Sequence, residues 1–213
     1  AQSDWWEQQE QNVKNQTGLT IVGKNWHYGV RNTLTRKKVE SPSDLKGKKI
    51  RVPSNLLQVD SINALGAAAT PMSLGDVYTS LQQGTIDGLE NPITVIESGK
   101  YQEVAKYLLL DAHIYDLTTW CCGDEFYNSL TEEQKKILTE TCEEAGVYNN
   151  EIVEEAEAKS LEELKKEGVK VQEVSDEEKD EWEKASESFY KNAEKKYGWT
   201  PDLIETVKSI IKE

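Results

Sequence analysis

The sequence predicts an α/β protein organised around a parallel sheet. Three observations carry that expectation. Between Lys49 and Leu89 short apolar runs alternate with helical patterns. Glycines at 66 and 84 stand where those helices have to stop. A capping-box pattern, Thr131-Glu132-Glu133-Gln134, opens a long periodic stretch that runs on toward Lys166. Strand, helix, strand in succession implies parallel pairing, because a crossover is needed to bring the chain back in the same direction.

Taken in order, residues 4–16 read as a helix with Trp5 and Trp6 as apolar anchors, closed by Thr17-Gly18. A strand is expected at 19–22 and a second around 28–33, the latter carrying Arg31. Ser41-Pro42-Ser43-Asp44 is a turn and helix start, with proline where its missing N–H costs nothing. A strand at 49–52, a helix at 55–65, a strand at 67–70, a helix at 74–83 capped by Gly84 and a strand at 85–89 then complete the βαβ pattern. Short helices over 93–106 lead to expected strands near 108–113 and 117–122. After the long helix come a brief strand at 168–171, an amphipathic helix at 175–197 and a closing helix at 201–211. The charge runs at 151–166 and 176–184 read as solvated helix faces with mixed i,i+4 pairs.

Composition narrows the function. A chain of 213 residues can bury a substantial core. Its formal charge of -14 excludes nucleic acid and anionic membrane as partners, since a phosphate surface demands a basic face. No apolar run approaches the roughly 20 residues needed to cross a bilayer, so direct membrane insertion is not expected. The start Ala1-Gln2-Ser3-Asp4 lacks a signal pattern. Cys121, Cys122 and Cys142 cannot all pair within one chain, and a vicinal disulfide is strained. Cys142 shares a helical stripe with Leu138, Ala145, Tyr148, Ile152 and Ala156, so the expectation is three reduced core cysteines. His27 and His113 are the only histidines, and neither has a partner at metal-ligand spacing. No phosphate loop or dinucleotide fingerprint is present, so no catalytic residue, metal or cofactor is expected and the chain does not read as an enzyme.

What the pattern does offer is an anion site. Lys49-Ile50-Arg51-Val52 sets an arginine at a strand end, with Pro53 to stop the strand. A guanidinium presents a planar fork matched to carboxylate oxygens, and a strand end holds it rigidly. Arg31, in His27-Tyr28-Gly29-Val30-Arg31-Asn32, could share the same anion. The expected strand ends also bring Thr70 and Asn91 to the edge where open α/β sheets bind ligands. Pro92 biases Asn91 toward extended backbone. The plainer alternatives are a surface salt bridge for Arg51, a hinge arginine paired with a carboxylate for Arg31, and an Asn-Pro turn for Asn91.

The motif series Gly29-Val30-Arg31, Asp44-Leu45-Lys46-Gly47-Lys48-Lys49-Ile50-Arg51-Val52-Pro53, Gly66, Thr70-Pro71-Met72, Asp76-Val77-Tyr78, Leu81-Gln82-Gln83-Gly84 and Asp87-Gly88-Leu89-Glu90-Asn91-Pro92 resembles the solute-binding proteins of tripartite ATP-independent periplasmic (TRAP) transporters, the dicarboxylate and sugar-acid binding family. The resemblance fits without gaps from Arg31 to about Asp116 and continues more loosely to the C-terminus. It implies a periplasmic-binding-protein-like fold of two lobes joined by hinge strands and a long lobe-spanning helix, with roughly the N-terminal third absent from this chain. Residues 1–28 would be a remnant of the N-terminal lobe and 29–116 the first segment of the C-terminal, ligand-binding lobe. Residues 117–156 would return to the N-terminal lobe and form the connecting helix, and 157–213 would complete the C-terminal lobe.

The same resemblance implies an extracytoplasmic protein that captures a small organic acid and delivers it to membrane permease subunits. Arg51 would grip the ligand carboxylate, Arg31 would be a second basic contact, and the Asn91 amide would donate to the same group. Leu74 stands where relatives often carry an aromatic that packs on the ligand body; Ser54, Glu90 and His113 match positions lining or bracing the cleft. A periplasmic sensory module using the same cleft and a non-binding fragment prone to self-association are the alternatives.

Overall fold

Two strands of unusual length organise this chain, β1 (Leu19–Thr35) and β5 (Tyr107–Gly123), each 17 residues. The structure, a computed structural model, describes residues 4–199 and 202–211. The sequence pattern splits both strands in two, at 22–28 and at 113–117. Both are continuous instead, β1 through Gly23 and Gly29 and β5 through Ala112, whose φ of 43° is left-handed.

By internal contacts the chain divides into two compact units, one of residues 1–31, 92–94 and 112–163, the other of 32–91, 95–111 and 164–213.

The sheet is mixed rather than parallel throughout, since β1 runs against β5, Thr33 meeting Asp111 and Thr35 meeting Tyr107; the second unit holds its parallel pairs. Its strands are β2 (Lys49–Val52), β3 (Ala68–Pro71), β4 (Gly88–Pro92) and β6 (Lys170–Glu173), with order β3-β2-β4-β1-β5-β6. Residues 32–35 of β1 and 107–111 of β5 lie in this unit. β2 is parallel to β3, with Arg51 opposite Thr70, and to β4, with Arg51 opposite Leu89. β5 and β6 are also parallel, Leu108 facing Val171. β4 begins later than the predicted 85–89 because residues 84–87 are spent on the turn: Gly84 caps the preceding helix at φ 74°, and Thr85 N returns to Ser80 O.

The crossovers are α2 (Leu56–Ala64) and α3 (Val77–Gln83). Asn55 caps α2, its side chain accepting from Leu57 N. The expected helix at 74–83 is two pieces, a 3₁₀ turn over Leu74–Asp76 and then α3. Likewise 93–106 resolves into α4 (Ile93–Ser98) and a 3₁₀ turn, Tyr101–Glu103. One core cluster packs Ile50 and Val52 of β2 with Leu45, Ile62, Leu65, Leu109 and Trp182. Burying such aliphatic side chains contributes roughly 1.5–3 kcal/mol each. Trp182 comes from α7 (Asp176–Tyr197), which opens with a reciprocal capping box between Ser175 and Glu178. The closing helix α8 is Leu203–Ile211; Pro201, its expected first residue, lies outside the described residues.

The first unit packs α1 (Asp4–Thr17), α5 (Asp124–Ser129) and most of α6 (Glu132–Lys166) around the remaining parts of β1 and β5. Thr131 Oγ1 accepts from Gln134 N and Gln134 Oε1 from Thr131 N, the box that the sequence announces. Here α6 does what a neighbouring strand would do for β1. The Asn150 amide accepts from His27 N at 2.8 Å and donates to Asn25 O at 2.7 Å. Asn149 donates to His27 O and the Glu157 carboxylate accepts from Val30 N. Glu157 therefore corrects the reading of 151–166 as a purely solvated face.

The cysteines are a second correction. All three are free thiols, but none is a core residue: Cys121 is exposed and Cys122 and Cys142 are half-buried. From Leu117 to Cys121 every residue of β5 is exposed, so alternation does not bury either vicinal thiol.

Candidate functional site

β2 is a four-residue strand that ends because Pro53 cannot extend the ladder, and Arg51 is its penultimate residue. Parallel register and alternation place Arg51, Thr70 and Leu89 on one face of the sheet, and Asn91, two residues beyond Leu89, on the same face. Ile50, Val52 and Glu90 take the other. Arg51 and Asn91 are both buried, at 4% and 3% exposure.

Two donors of the Arg51 fork share one acceptor. Nε and Nη2 both donate to the main-chain carbonyl of Met72, at 3.1 and 2.9 Å. Met72 lies just past the end of β3, and its own N–H returns to Val52 O, so the carbonyl is anchored to the strand whose arginine it orients. The donation fixes the guanidinium plane and directs its end-on edge, Nη1 and Nη2, away from Met72.

Leu74 opens the 3₁₀ turn after Met72 and is 43% exposed, while its carbonyl accepts from the buried Tyr101 hydroxyl at 3.3 Å. Burial pushes the Tyr101 phenol up from its ordinary range, partly opposed by the nearby Arg51 charge. Ser54, just past β2, is exposed. Glu90 is fully buried on the face opposite Asn91.

Arg31 and His113 belong to the other unit. Arg31 is 4% exposed, and its Nη1 pairs with Asp116 Oδ2 at 3.1 Å. That pairing is the arrangement expected of a hinge arginine. His113, half-buried, lies on β5 one residue past Ala112.

Sequence reasoning missed three contributors: the Met72 carbonyl, Tyr101 and Asp116. A main-chain carbonyl has no sequence signal. Tyr101 has a faint one in Gly99, since a Cβ on Gly99 would come within 2.6 Å of the tyrosine ring. A groove of about 590 Å³ lies between α2 and α7 and is lined by Asp60, Asn63, Phe189, Asn192, Lys196 and Tyr197, none of them a candidate residue.

Comparison with known proteins settles the family. The model for bacterial extracellular solute-binding protein, family 7, matches residues 1–196. The chain belongs to that family. Among its relatives, the 2,3-diketo-L-gulonate-binding periplasmic protein of Escherichia coli K12 is 35% identical over 155 residues, covering 72% of this chain and 47% of that protein. The C4-dicarboxylate-binding protein DctB of Bacillus subtilis is 31% identical over 175 residues, 81% of this chain and 50% of that one. A TRAP periplasmic solute-binding protein of Actinobacillus succinogenes 130z, solved with bound L-galactonate, superposes with a TM-score of 0.84 at 40% identity, covering 97% of this chain and 67% of the other. The chain thus spans about half the length of the two curated relatives. Membership in this TRAP solute-binding family also fixes the fold class as α/β. Among the described residues no helix is long and apolar enough to cross a membrane.

Proposed function

We propose that this chain is the part of an extracytoplasmic solute-binding protein that grips the carboxylate of a small organic acid, with Arg51 as the principal cation and Asn91 as a neighbouring amide donor. The observation that carries the reading is the Arg51 guanidinium, buried at a strand end and oriented by Met72 O through its Nε/Nη2 edge. A ligand carboxylate then meets the arginine end-on, through Nη1 and Nη2. Charge-assisted hydrogen bonds of this kind are about twice as strong as neutral ones.

The ligand class follows from the relatives: sugar acids and dicarboxylates share the carboxylate that Arg51 would hold and differ in the rest of the molecule. Leu74, aliphatic and exposed beside this segment, offers van der Waals contact rather than ring stacking. Ser54, at the same strand end, is a further polar group for the ligand body. Glu90, buried on the opposite face, braces the sheet rather than touching the ligand. Arg31, bound to Asp116, and His113 are assigned to the other unit's own structure. The protein would hand its acid to the permease subunits of a TRAP-type secondary transporter.

Thermal unfolding in the presence of L-galactonate, 2,3-diketo-L-gulonate and malate tests this reading. A ligand at 100 times its Kd raises stability by about 2.7 kcal/mol. One acid class should raise the melting temperature, and the rise should vanish in Arg51→Ala; a rise of equal size in that variant would overturn the assignment.

A further inference from the structure

We propose that Tyr101 is a positioning residue for the Arg51 guanidinium, acting through the Met72–Leu74 segment; the inference rests on the reading of Arg51 as the carboxylate grip. Met72 O receives both Nε and Nη2 of Arg51, yet it belongs to an irregular stretch between β3 and the 3₁₀ turn at Leu74. A loop carbonyl aims a guanidinium only as well as the loop itself is held. On one side Met72 N is tied to Val52 O. On the other, two residues on, Leu74 O is tied to the Tyr101 hydroxyl at 3.3 Å.

Tyr101 is built for that hold. It is 5% exposed, and its ring packs over Gly99, where any side chain would displace it. Burial raises its pKa, so the hydroxyl stays protonated and remains a donor at neutral pH. Lys100, the residue before it, has a left-handed backbone, φ 55°, a conformation unfavourable for a non-glycine residue. The Tyr101–Glu103 turn is also tied to α3, where Tyr78 Oη donates to Glu103 Oε2 at 2.7 Å. The segment carrying Met72 and Leu74 is thereby fixed to the Tyr101–Glu103 turn at both Leu74 and Tyr78. Tyr101 need not touch the ligand; it sets how sharply the end-on edge of Arg51 is aimed.

Tyr101→Phe removes the hydroxyl and keeps the ring. In the ¹⁵N-labelled chain the Arg51 Nε–H resonance is assigned by its loss in Arg51→Lys, and its solvent exchange is measured without ligand. Loss of one hydrogen bond of about 1 kcal/mol predicts roughly fivefold faster exchange in Tyr101→Phe. Arg31 Nε–H, in the other unit, serves as the control and should be unchanged. With L-galactonate as probe, Tyr101→Phe should bind roughly fivefold more weakly, and no further weakening should follow when it is added to Arg51→Lys. Unchanged Arg51 Nε–H exchange, or equal acceleration at Arg31, overturns the proposal, whatever the probe does. If Arg51→Lys binds L-galactonate as tightly as the parent, the grip reading fails, while the exchange result still judges the link from Tyr101 to Arg51.

Discussion

Arg51 gives two of its five N–H donors to a single oxygen, the main-chain carbonyl of Met72. An arginine held in this way has already lost much of its rotamer freedom before any anion arrives, which is the preorganisation that makes a binding contact count. Lysine cannot reproduce it, because an ammonium has no planar edge to dock on Met72 while a second edge faces a carboxylate. Arg51→Lys should therefore keep its charge yet lose about 10- to 100-fold in affinity, the range for charged hydrogen bonds worth 1.5–3 kcal/mol. Isothermal calorimetry with L-galactonate checks it, and parent-like affinity would contradict the orientation argument.

Asn150 is the side chain on which the first unit's β1 leans most. It makes two main-chain hydrogen bonds to that strand, to His27 N and to Asn25 O. Replacing it with alanine strands a donor and an acceptor, at a cost of about 1–3 kcal/mol. Denaturant unfolding should show a lower midpoint, and amide exchange at His27 should rise more than at Leu34 in the second unit.

The α2–α7 contact carries its own pH signature. Tyr197 donates to the Asp60 carboxylate, which also receives Lys196, and burial together with that carboxylate pushes the phenol up to about 12. A pKa raised in the folded state contributes stability that is complete below the unfolded value near 10 and is lost as pH climbs toward 12. Asp60 is shifted the opposite way, lowered chiefly by the Lys196 hydrogen bond and then by Tyr197, so its contribution is present above the ordinary carboxylate range and fades in acid. Stability should fall between pH 10 and about 12, and Tyr197→Phe should flatten that alkaline limb. An unaltered limb in Tyr197→Phe would assign it to other groups.

Gly84 closes α3 with φ 74°, and a Cβ there would come within 2.6 Å of Arg36 Nη1. Gly84→Ala should cost about 1–2 kcal/mol from the left-handed backbone alone. Thermal unfolding would register the loss, and Gly84→Asn, which tolerates that region better, should recover part of it.

Where the sequence spoke locally, it spoke accurately. Pro53 ends β2, Gly84 ends α3, and Thr131 with Gln134 starts α6, because each signal acts on backbone within a few residues of itself. The continuity of β1 was illegible because Gly23, Lys24 and Asn25 look like an interruption. Backbone groups in and just after that stretch, at Asn25, His27 and Val30, are satisfied by Asn150, Asn149 and Glu157, more than a hundred positions away. At the candidate site, the places of Arg51 and Asn91 near the ends of their strands were legible. Tyr101 and Met72 were not: one acts through a hydroxyl on a distant carbonyl and the other through its main chain, where side-chain identity carries no information.

Ala112 divides the surface that β5 presents. Long, flat, apolar strands are templates onto which other chains can add. Over Tyr107–Leu110 β5 is already paired with β6, and beyond Ala112 it exposes Tyr115, Leu117 and Trp120. A left-handed alanine in its middle breaks the pleat, so a foreign strand cannot follow β5 in a single register from end to end. β6 on one side of that residue and the break in the pleat at it together confine any added strand to the stretch beyond Ala112.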